Sequence, residues 1–249
     1  MTRRTVLVTG ASRGIGAACT QLLAERGYDV VINYLHNASA ADDVAKACRS
    51  AGAVAVLAQA DIGVPADVER LFQTVDAELG GLDALVNNAG ITGGFHRMDE
   101  VTPEMLARLN AVNVVGLQQC CGHAVRRMST LYGGAGGAIV NISSVAAYTG
   151  SPGEYVDYAG SKAAVNTITV GLAREVAQEG ICVNAVAPGL TETDIHADGG
   201  RPERLVELAP RIPLGRPAKA LEVARAVAWL LGDEASYVTG SILNVTGGV

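Results

Sequence analysis

An α/β fold, with a parallel sheet covered by helices on both faces, is what this sequence predicts, and three observations carry the prediction. Short β-rich apolar runs alternate with longer amphipathic stretches from one end of the chain to the other. Alternation of that kind builds parallel strands joined by right-handed helical crossovers. A glycine-rich turn, TGASRGIG at residues 9–16, joins the first run to the first amphipathic stretch. The length, 249 residues with 49% hydrophobic and 18% charged, supplies one large core and argues against disorder.

Each element has its own signal. Thr5–Thr9 is rich in β-branched residues and predicts the first strand. Ile15–Arg26 has helical spacing and stops at Gly27. Asp29–Tyr34 is the next strand, Ser39–Ala51 the next helix and Val54–Gln59 the third strand. Pro65–Leu79 predicts a helix opened by proline, where a missing N–H does no harm. Ala84–Asn87 is a strand, and Pro103–Leu131 is one long helix or two, ended by the glycines of 133–137. Ala138–Ile142 (strand), Tyr155–Gln178 (helix), Cys182–Val186 (strand), Leu221–Leu231 (helix) and Ser241–Val245 (strand) complete about seven strands. Residues 190–217 break the rhythm with glycine, proline and charge, which reads as a mobile lid more than a domain boundary. Residues 1–249 are therefore expected to form a single domain.

Composition removes several functions. The net charge of −6 leaves no general basic surface for nucleic acid. No apolar stretch of about 18 residues occurs, so no membrane helix is expected. The start, MTRRTVLVTG, has two arginines but too short an apolar run for a signal peptide, and reads as the first strand of a cytoplasmic protein. Cys19, Cys48, Cys120, Cys121 and Cys182 are odd in number and form no C-x-x-C, so buried reduced thiols are expected. The four histidines lack metal-ligand spacing, and no metal site is expected. No G-x-S-x-G nucleophile elbow occurs.

The glycine turn carries the first functional signal. Glycines 10, 14 and 16 let the backbone turn tightly and approach a ligand, and the helix that follows aims its first amides at the turn, which suits a pyrophosphate. The spacing is G-x-x-x-G-x-G, not G-x-G-x-x-G. NNAG at 87–90, NVVG at 113–116, ISS at 142–144, YAGSK at 158–162 and PG at 188–189 follow in order. Together these motifs resemble the short-chain dehydrogenase/reductase family over essentially the whole chain.

That resemblance implies a doubly wound Rossmann fold, a nicotinamide dinucleotide cofactor and a homotetramer (or dimer) packed through long helices. It implies a cofactor site of Gly10, Ser12, Arg13, Gly14, Ile15 and Gly16, then Tyr34, Asp61 and Ile62, then Asn88, Ala89 and Gly90, with Pro188, Gly189, Thr191 and Thr193 on the far side. Asp61 resembles the family's adenine-binding aspartate; its other reading is a turn aspartate. In NAD-specific relatives an acidic residue ends the second strand and binds the ribose 2′-hydroxyl. Here VVINYLHN, residues 30–37, puts Tyr34 at that place with no acidic neighbour, and Arg13 is available to a 2′-phosphate. NADP(H) is therefore favoured over NAD(H).

Tyr158 and Lys162 are four residues apart, a rotation of about 40° and a rise of about 6 Å on a helix, so they share a face. Free tyrosine has a pKa near 10. A neighbouring ammonium favours the phenolate, and lowering the pKa by about 3 would require roughly 4 kcal/mol. Tyr155 is the rival, seven residues from the lysine, and is expected in the pocket wall. Ser144 ends a strand at the ligand-binding edge and could hold the substrate oxygen; Ser143 is its rival, and the resemblance favours Ser144. Fourteen residues separate Ser144 from Tyr158 where the family more usually has thirteen. Asn113 is a poor helix former in mid-helix and resembles the asparagine that holds a water beside the lysine.

The catalytic set is thus Asn113, Ser144, Tyr158 and Lys162. The expected reaction is hydride transfer to a carbonyl polarised by Ser144 and Tyr158, with Tyr158 giving the proton and Lys162 lowering its pKa and holding the nicotinamide ribose. The substrate is a small-molecule ketone or 3-oxoacyl group. Sugar or polyol oxidation is the alternative, and a non-catalytic dinucleotide sensor is the reading of another class. Arg201, Arg204, Arg211 and Arg216 of the lid are offset by five acidic residues, do not single out an anionic substrate, and read as a solvated face.

Overall fold

The computed structural model describes residues 3–249. Met1 and Thr2, with which the expected domain opens, lie outside the described residues. The chain runs β1 (Arg4–Val8), α1 (Gly14–Glu25), β2 (Tyr28–Tyr34), α2 (Ala38–Ser50), β3 (Ala55–Gln59), α3 (Pro65–Leu79) and β4 (Ala84–Asn87). Next come α4 (Pro103–Asn110), α5 (Leu117–Met128), β5 (Gly137–Ile142), α6 (Ala146–Thr149), α7 (Val156–Val176) and β6 (Ile181–Pro188). It ends with β7 (Thr191–Glu192), α8 (Ile195–Asp198), α9 (Arg204–Leu208), β8 (Ala218–Lys219), α10 (Ala220–Leu230) and β9 (Ile242–Val245).

Seven strands form one sheet in the order β3-β2-β1-β4-β5-β6-β9, every pairing parallel. Side chains alternate across each strand and so feed two cores. Val6, Val8, Val30, Ile32, Val86 and Val140 face α1, α2 and α10. Leu7, Val31, Leu85, Ile139 and Val183 face α3, α5 and α7. Near-continuous apolar strands are what burial on both faces requires. Phe72 of α3 is fully buried in the second core, where truncation to alanine removes about 3–5 kcal/mol.

The expected boundaries hold within one or two residues, with three instructive departures. Pro103–Leu131 is neither one regular helix nor two separate ones: α4 and α5 are joined through a π-helical stretch at Ala111–Gly116. Tyr155–Gln178 shortens to α7, with a 3-10 turn at Ala177–Glu179. The 190–217 segment carries short structure of its own, including β7, α8 and α9, and β7 pairs with β8 just beyond it. The chain winds outward from β1 to β3, then returns to place β4 beside β1. That reversal opens a crevice at the strand ends between β1 and β4, where ligands of open α/β sheets bind.

Candidate active site

The crevice is a cavity of about 1040 Å³ that runs from the β1–α1 loop to the 190–217 segment. Its floor is the glycine loop. Gly10 and Gly14 adopt positive φ, +61° and +55°, which side chains resist. A Cβ on Gly16 would lie 2.3 Å from the Gly10 carbonyl oxygen and 2.5 Å from Asn88 Nδ2. Asn88 locks the loop by donating to the carbonyls of Thr9 and Gly10, both at 2.9 Å, and Asn33 accepts from the Gly10 N–H at 3.1 Å. Arg13, at the N-cap of α1, makes no side-chain cap bond, so the first-turn amides remain available to an anion. This bare backbone cradle fits the pyrophosphate of a dinucleotide, and the cavity has the length of lining for the rest of it.

Every expected cofactor residue except Gly16 lines this cavity; Gly16 is buried beneath it. Ser12, Ile15, Ile62, Ala89, Gly90, Pro188, Gly189, Thr191 and Thr193 lie along it, with Tyr34 at the end of β2 beside Leu35, His36 and Asn37. Two expected residues are differently occupied. Asp61 accepts from the Gly63 N–H at 2.8 Å and pairs with Arg108 at 2.9 Å, so its carboxylate holds a turn and an ion pair. Arg13 reaches across the cavity and pairs with Asp198, with Asp194 at 3.8 Å.

The π-helical stretch places Asn113. Its side chain, on a residue 1% exposed, accepts from the Ile91 N–H at 2.9 Å and donates to the Ile91 carbonyl at 2.8 Å and to Ser161 Oγ at 3.0 Å. A widened turn is the local cause of this reach, and such turns gather at functional sites. A Cβ on Gly90 would lie 3.3 Å from Asn113 Oδ1 and 3.4 Å from Lys162 Nζ, so the three residues meet at one point. Ser143 is buried and donates to Asn166 Oδ1 at 2.6 Å, pointing into the fold, while Ser144 lines the cavity and accepts from the Ala146 N–H at 3.1 Å. The loop before α7 has positive φ at Gly150, Ser151 and Gly153, and it absorbs the fourteen-residue spacing.

Tyr158 and Lys162 share the buried face of α7, 8% and 4% exposed, with Lys162 Nζ 5.7 Å from the Tyr158 ring centroid. The expectation that the lysine lowers the tyrosine is not met in the protein alone. Burial pushes the Tyr158 phenol up, Tyr155 adds to this, and only the Ser144 hydroxyl opposes it. Burial brings Lys162 down to about 8. The ammonium donates to the Ile142 carbonyl at 2.8 Å and not to the Tyr158 hydroxyl, so the phenol lacks the contact that would lower it.

At the far end of the cavity one of the four lid arginines, Arg204, departs from the solvated face expected of them, while Arg211 and Arg216 are exposed. Arg204 is 6% exposed and forms a two-pronged ion pair with Glu154. Arg201 and Arg216 keep acidic partners at the surface. No sequence signal marks Arg204 among its neighbours, because its burial is produced by Phe95 and Tyr155 from elsewhere in the chain. The cysteine expectation also needs adjustment: all five are free and four are buried, but Cys182 is half-buried at the end of its strand.

A doubly wound sheet with a glycine-loop cradle, a buried Tyr–Lys pair and a serine beside it defines a dinucleotide-dependent oxidoreductase of the short-chain type. The chain belongs to the short-chain dehydrogenase/reductase family: the family model described as "Enoyl-(Acyl carrier protein) reductase" matches residues 10–249. It is 50% identical over 242 residues to the uncharacterized oxidoreductase YgfF of Escherichia coli strain K12, covering 97% of this chain and 98% of that one. It is 42% identical over 246 residues to the cis-4-hydroxycyclohexanecarboxylate dehydrogenase of Sinomonas cyclohexanicum, covering 98% and 96%. A short-chain dehydrogenase from Burkholderia cenocepacia J2315, solved in complex with NADP, superposes with a TM-score of 0.89 at 35% identity over 98% and 97% of the two chains. The protein is an NAD(P)-dependent carbonyl/alcohol oxidoreductase.

Proposed function

We propose that this enzyme is an NADP(H)-dependent ketone reductase, acting on a small carbonyl or 3-oxoacyl substrate, with Tyr158 as the general acid. The observation that carries this reading is the convergence of Ser144, Tyr158 and Lys162 on one wall of the cavity. A bound nicotinamide would supply the hydride. Ser144 and Tyr158 present hydroxyls to one substrate oxygen, which fixes the carbonyl and polarises it. Tyr158 then gives its proton to the developing alkoxide. Its raised pKa keeps that proton in place at neutral pH. Lys162 does not lower the phenol in the protein alone; with a nicotinamide ribose bound beside it, its ammonium, charged below about 8, would add the positive field the phenolate needs. Asn113 fixes the loop that carries Gly90 and Ile91 beside the lysine.

Tyr34 at the end of β2 supports NADP(H) over NAD(H), because no carboxylate stands there to repel a 2′-phosphate. Arg13 supports it as a half-exposed cation of the glycine loop that a 2′-phosphate could draw from Asp198. The secondary ring alcohol named for the Sinomonas relative supports a secondary alcohol/ketone pair. Residues 190–217 act as the substrate lid.

The test is NADPH oxidation, followed by absorbance, against 3-oxoacyl thioesters, diketones and simple ketones, with NADH in parallel. Turnover that prefers NADPH and vanishes in Tyr158→Phe is expected. Turnover confined to sugar or polyol oxidation, or insensitive to Tyr158→Phe, would overturn the reading.

A further inference from the structure

Three separate segments, the lid, residues 91–98 and the loop before α7, meet on one side chain. Arg204 comes from α9 in the lid. Its guanidinium carbon lies 5.0 Å from the ring centroid of Phe95, in the 91–98 loop, and 5.3 Å from that of Tyr155, in the loop before α7. Glu154 grips the guanidinium with both carboxylate oxygens, and a third contact runs from Arg204 to Tyr155 Oη at 3.0 Å. Phe95 packs on Tyr155 at 5.0 Å, and Tyr155 meets Tyr158 edge-on at 5.2 Å. The loop carrying Phe95 is clipped to α7 by a buried His96–Asp157 contact at 3.1 Å and by the His96 N–H donating to the Glu154 carbonyl at 2.7 Å. One buried cation therefore sets the position of the phenol next to Tyr158.

The direction of the hydrogen bonds decides what that phenol offers. Arginine has donors only, so Tyr155 Oη accepts from Arg204. Ser151 lies at the turn before Tyr155, its Oγ 3.4 Å from Thr149 Oγ1. Ser151 is held there on a backbone with φ of +44°, the one non-glycine residue with positive φ among those described. With its oxygen engaged, Tyr155 keeps its O–H for a ligand, and burial keeps that O–H protonated. Tyr155 lines the cavity one ring away from the proton donor of the reaction.

We propose that Tyr155, positioned by Arg204, is a specificity-determining donor that binds a second substrate oxygen adjacent to the reacting carbonyl, so that the preferred substrate is a β-dicarbonyl or similarly oxygenated ketone. This rests on the ketone-reductase reading and narrows its substrate class. A site built to hydrogen-bond an oxygen discriminates against the analogue that lacks it. Glu154 neutralises Arg204, so the device selects a neutral acceptor oxygen, not a net negative charge.

The experiment is a binding titration of ethyl acetoacetate and of 2-heptanone, which is matched in chain length, against the protein saturated with NADP+, read by ligand-observed NMR. No turnover is possible in that complex, so the result is independent of catalysis. The ratio of the two dissociation constants in the native protein is compared with that in Tyr155→Phe and Arg204→Met, which cancels the difference in hydrophobicity between the ligands. A fall in preference for the keto ester of roughly fivefold in both variants is expected, the worth of about one hydrogen bond. NADP+ affinity, measured by fluorescence, shows that each variant is folded. An unchanged ratio in Tyr155→Phe, or no measurable keto ester binding to the native protein, overturns the proposal. A change in Tyr155→Phe that Arg204→Met does not share overturns the positioning role of Arg204. Absence of NADPH-linked ketone turnover would count against the reductase reading while leaving this titration readable. Should Arg204→Met fail to fold, Glu154→Gln, which loosens the guanidinium without removing it, is expected to show a smaller fall in the same ratio, and no fall would overturn the role of Arg204.

Discussion

In the sheet that floors the cavity and the helix packed on it, the buried polar side chains Thr9, Asn33, Asn113, Asn141, Ser143 and Asn184 are uncharged. They bind backbone and one another, as in Asn141 to Thr169 and Asn184 to the Val238 carbonyl. Lys162 is the one cation among them and lies on the sheet side of α7. The 190–217 segment on the opposite side is fastened near its middle by two ion pairs, Arg204 to Glu154 and Arg13 to Asp198. The two clasps run in opposite senses, a lid cation to a body anion and a body cation to a lid anion. A floor of neutral hydrogen bonds and close backbone contacts has one arrangement. A lid held by charged contacts can be released by competing ions, by salt and by ligands.

Breaking the floor has the largest expected effect. Gly16→Ala puts a Cβ 2.3 Å from the Gly10 carbonyl oxygen, so the cradle must shift, and loss of NADP+ binding by 100-fold or more, or failure to fold, is expected on the order of the large effects seen for strained or overpacked sites. Fluorescence titration and circular dichroism separate the two. Tyr158→Phe keeps the ring and removes the proton, and a loss in kcat of about 10²–10⁴-fold is expected, with NADP+ affinity retained.

The pH profile sharpens the contrast between the one buried cation of the floor and the ion-paired charges of the lid. Burial lowers Lys162 from its ordinary 10.5 to about 8, so the ammonium is present below that pH and lost above it. The Tyr158 phenol, with its pKa raised, stays protonated through the same range. Reductive kcat/KM is therefore expected to be flat near neutrality and to fall above about pH 8, by roughly tenfold per pH unit if the charge is essential. A flat profile to pH 10 would remove Lys162 from the charge argument.

At the lid, effects should be smaller and cofactor-dependent. Arg13→Ala is expected to weaken NADPH binding roughly tenfold, the range for a charge-assisted contact, and to leave NADH within about twofold. Equal losses for both cofactors would mean that Arg13 serves the lid alone. Asp198→Asn removes a half-exposed partner, and a change of about twofold or less in KM is expected, shrinking further in high salt.

Much of the site could be read from local chemistry. Gly10, Gly14 and Gly16 mark a turn that only glycine fits, and Tyr158 and Lys162 share a face by helical spacing alone. Strand alternation says only that one of Ser143 and Ser144 can face the cavity; the family resemblance favoured Ser144, and Ser144 lines the cavity while Ser143 points into the fold. The π-helical turn at Asn113 was not legible, because the periodicity of a helix hides one added residue, although an asparagine at mid-helix hinted at it.

Sequence by itself determined the sheet, the cradle, the Tyr–Lys pair and the family, because each is set by contacts among near neighbours or by the period of the elements. Only the tertiary structure decided that Arg204 is buried while Arg201 and Arg216 are not, that Arg13 reaches the lid, and that Lys162 donates to Ile142. Those facts depend on which distant loop supplies the covering side chain or the carbonyl, and desolvation, which sets the pKa of Tyr158 and Lys162, exists only once those loops have closed over them.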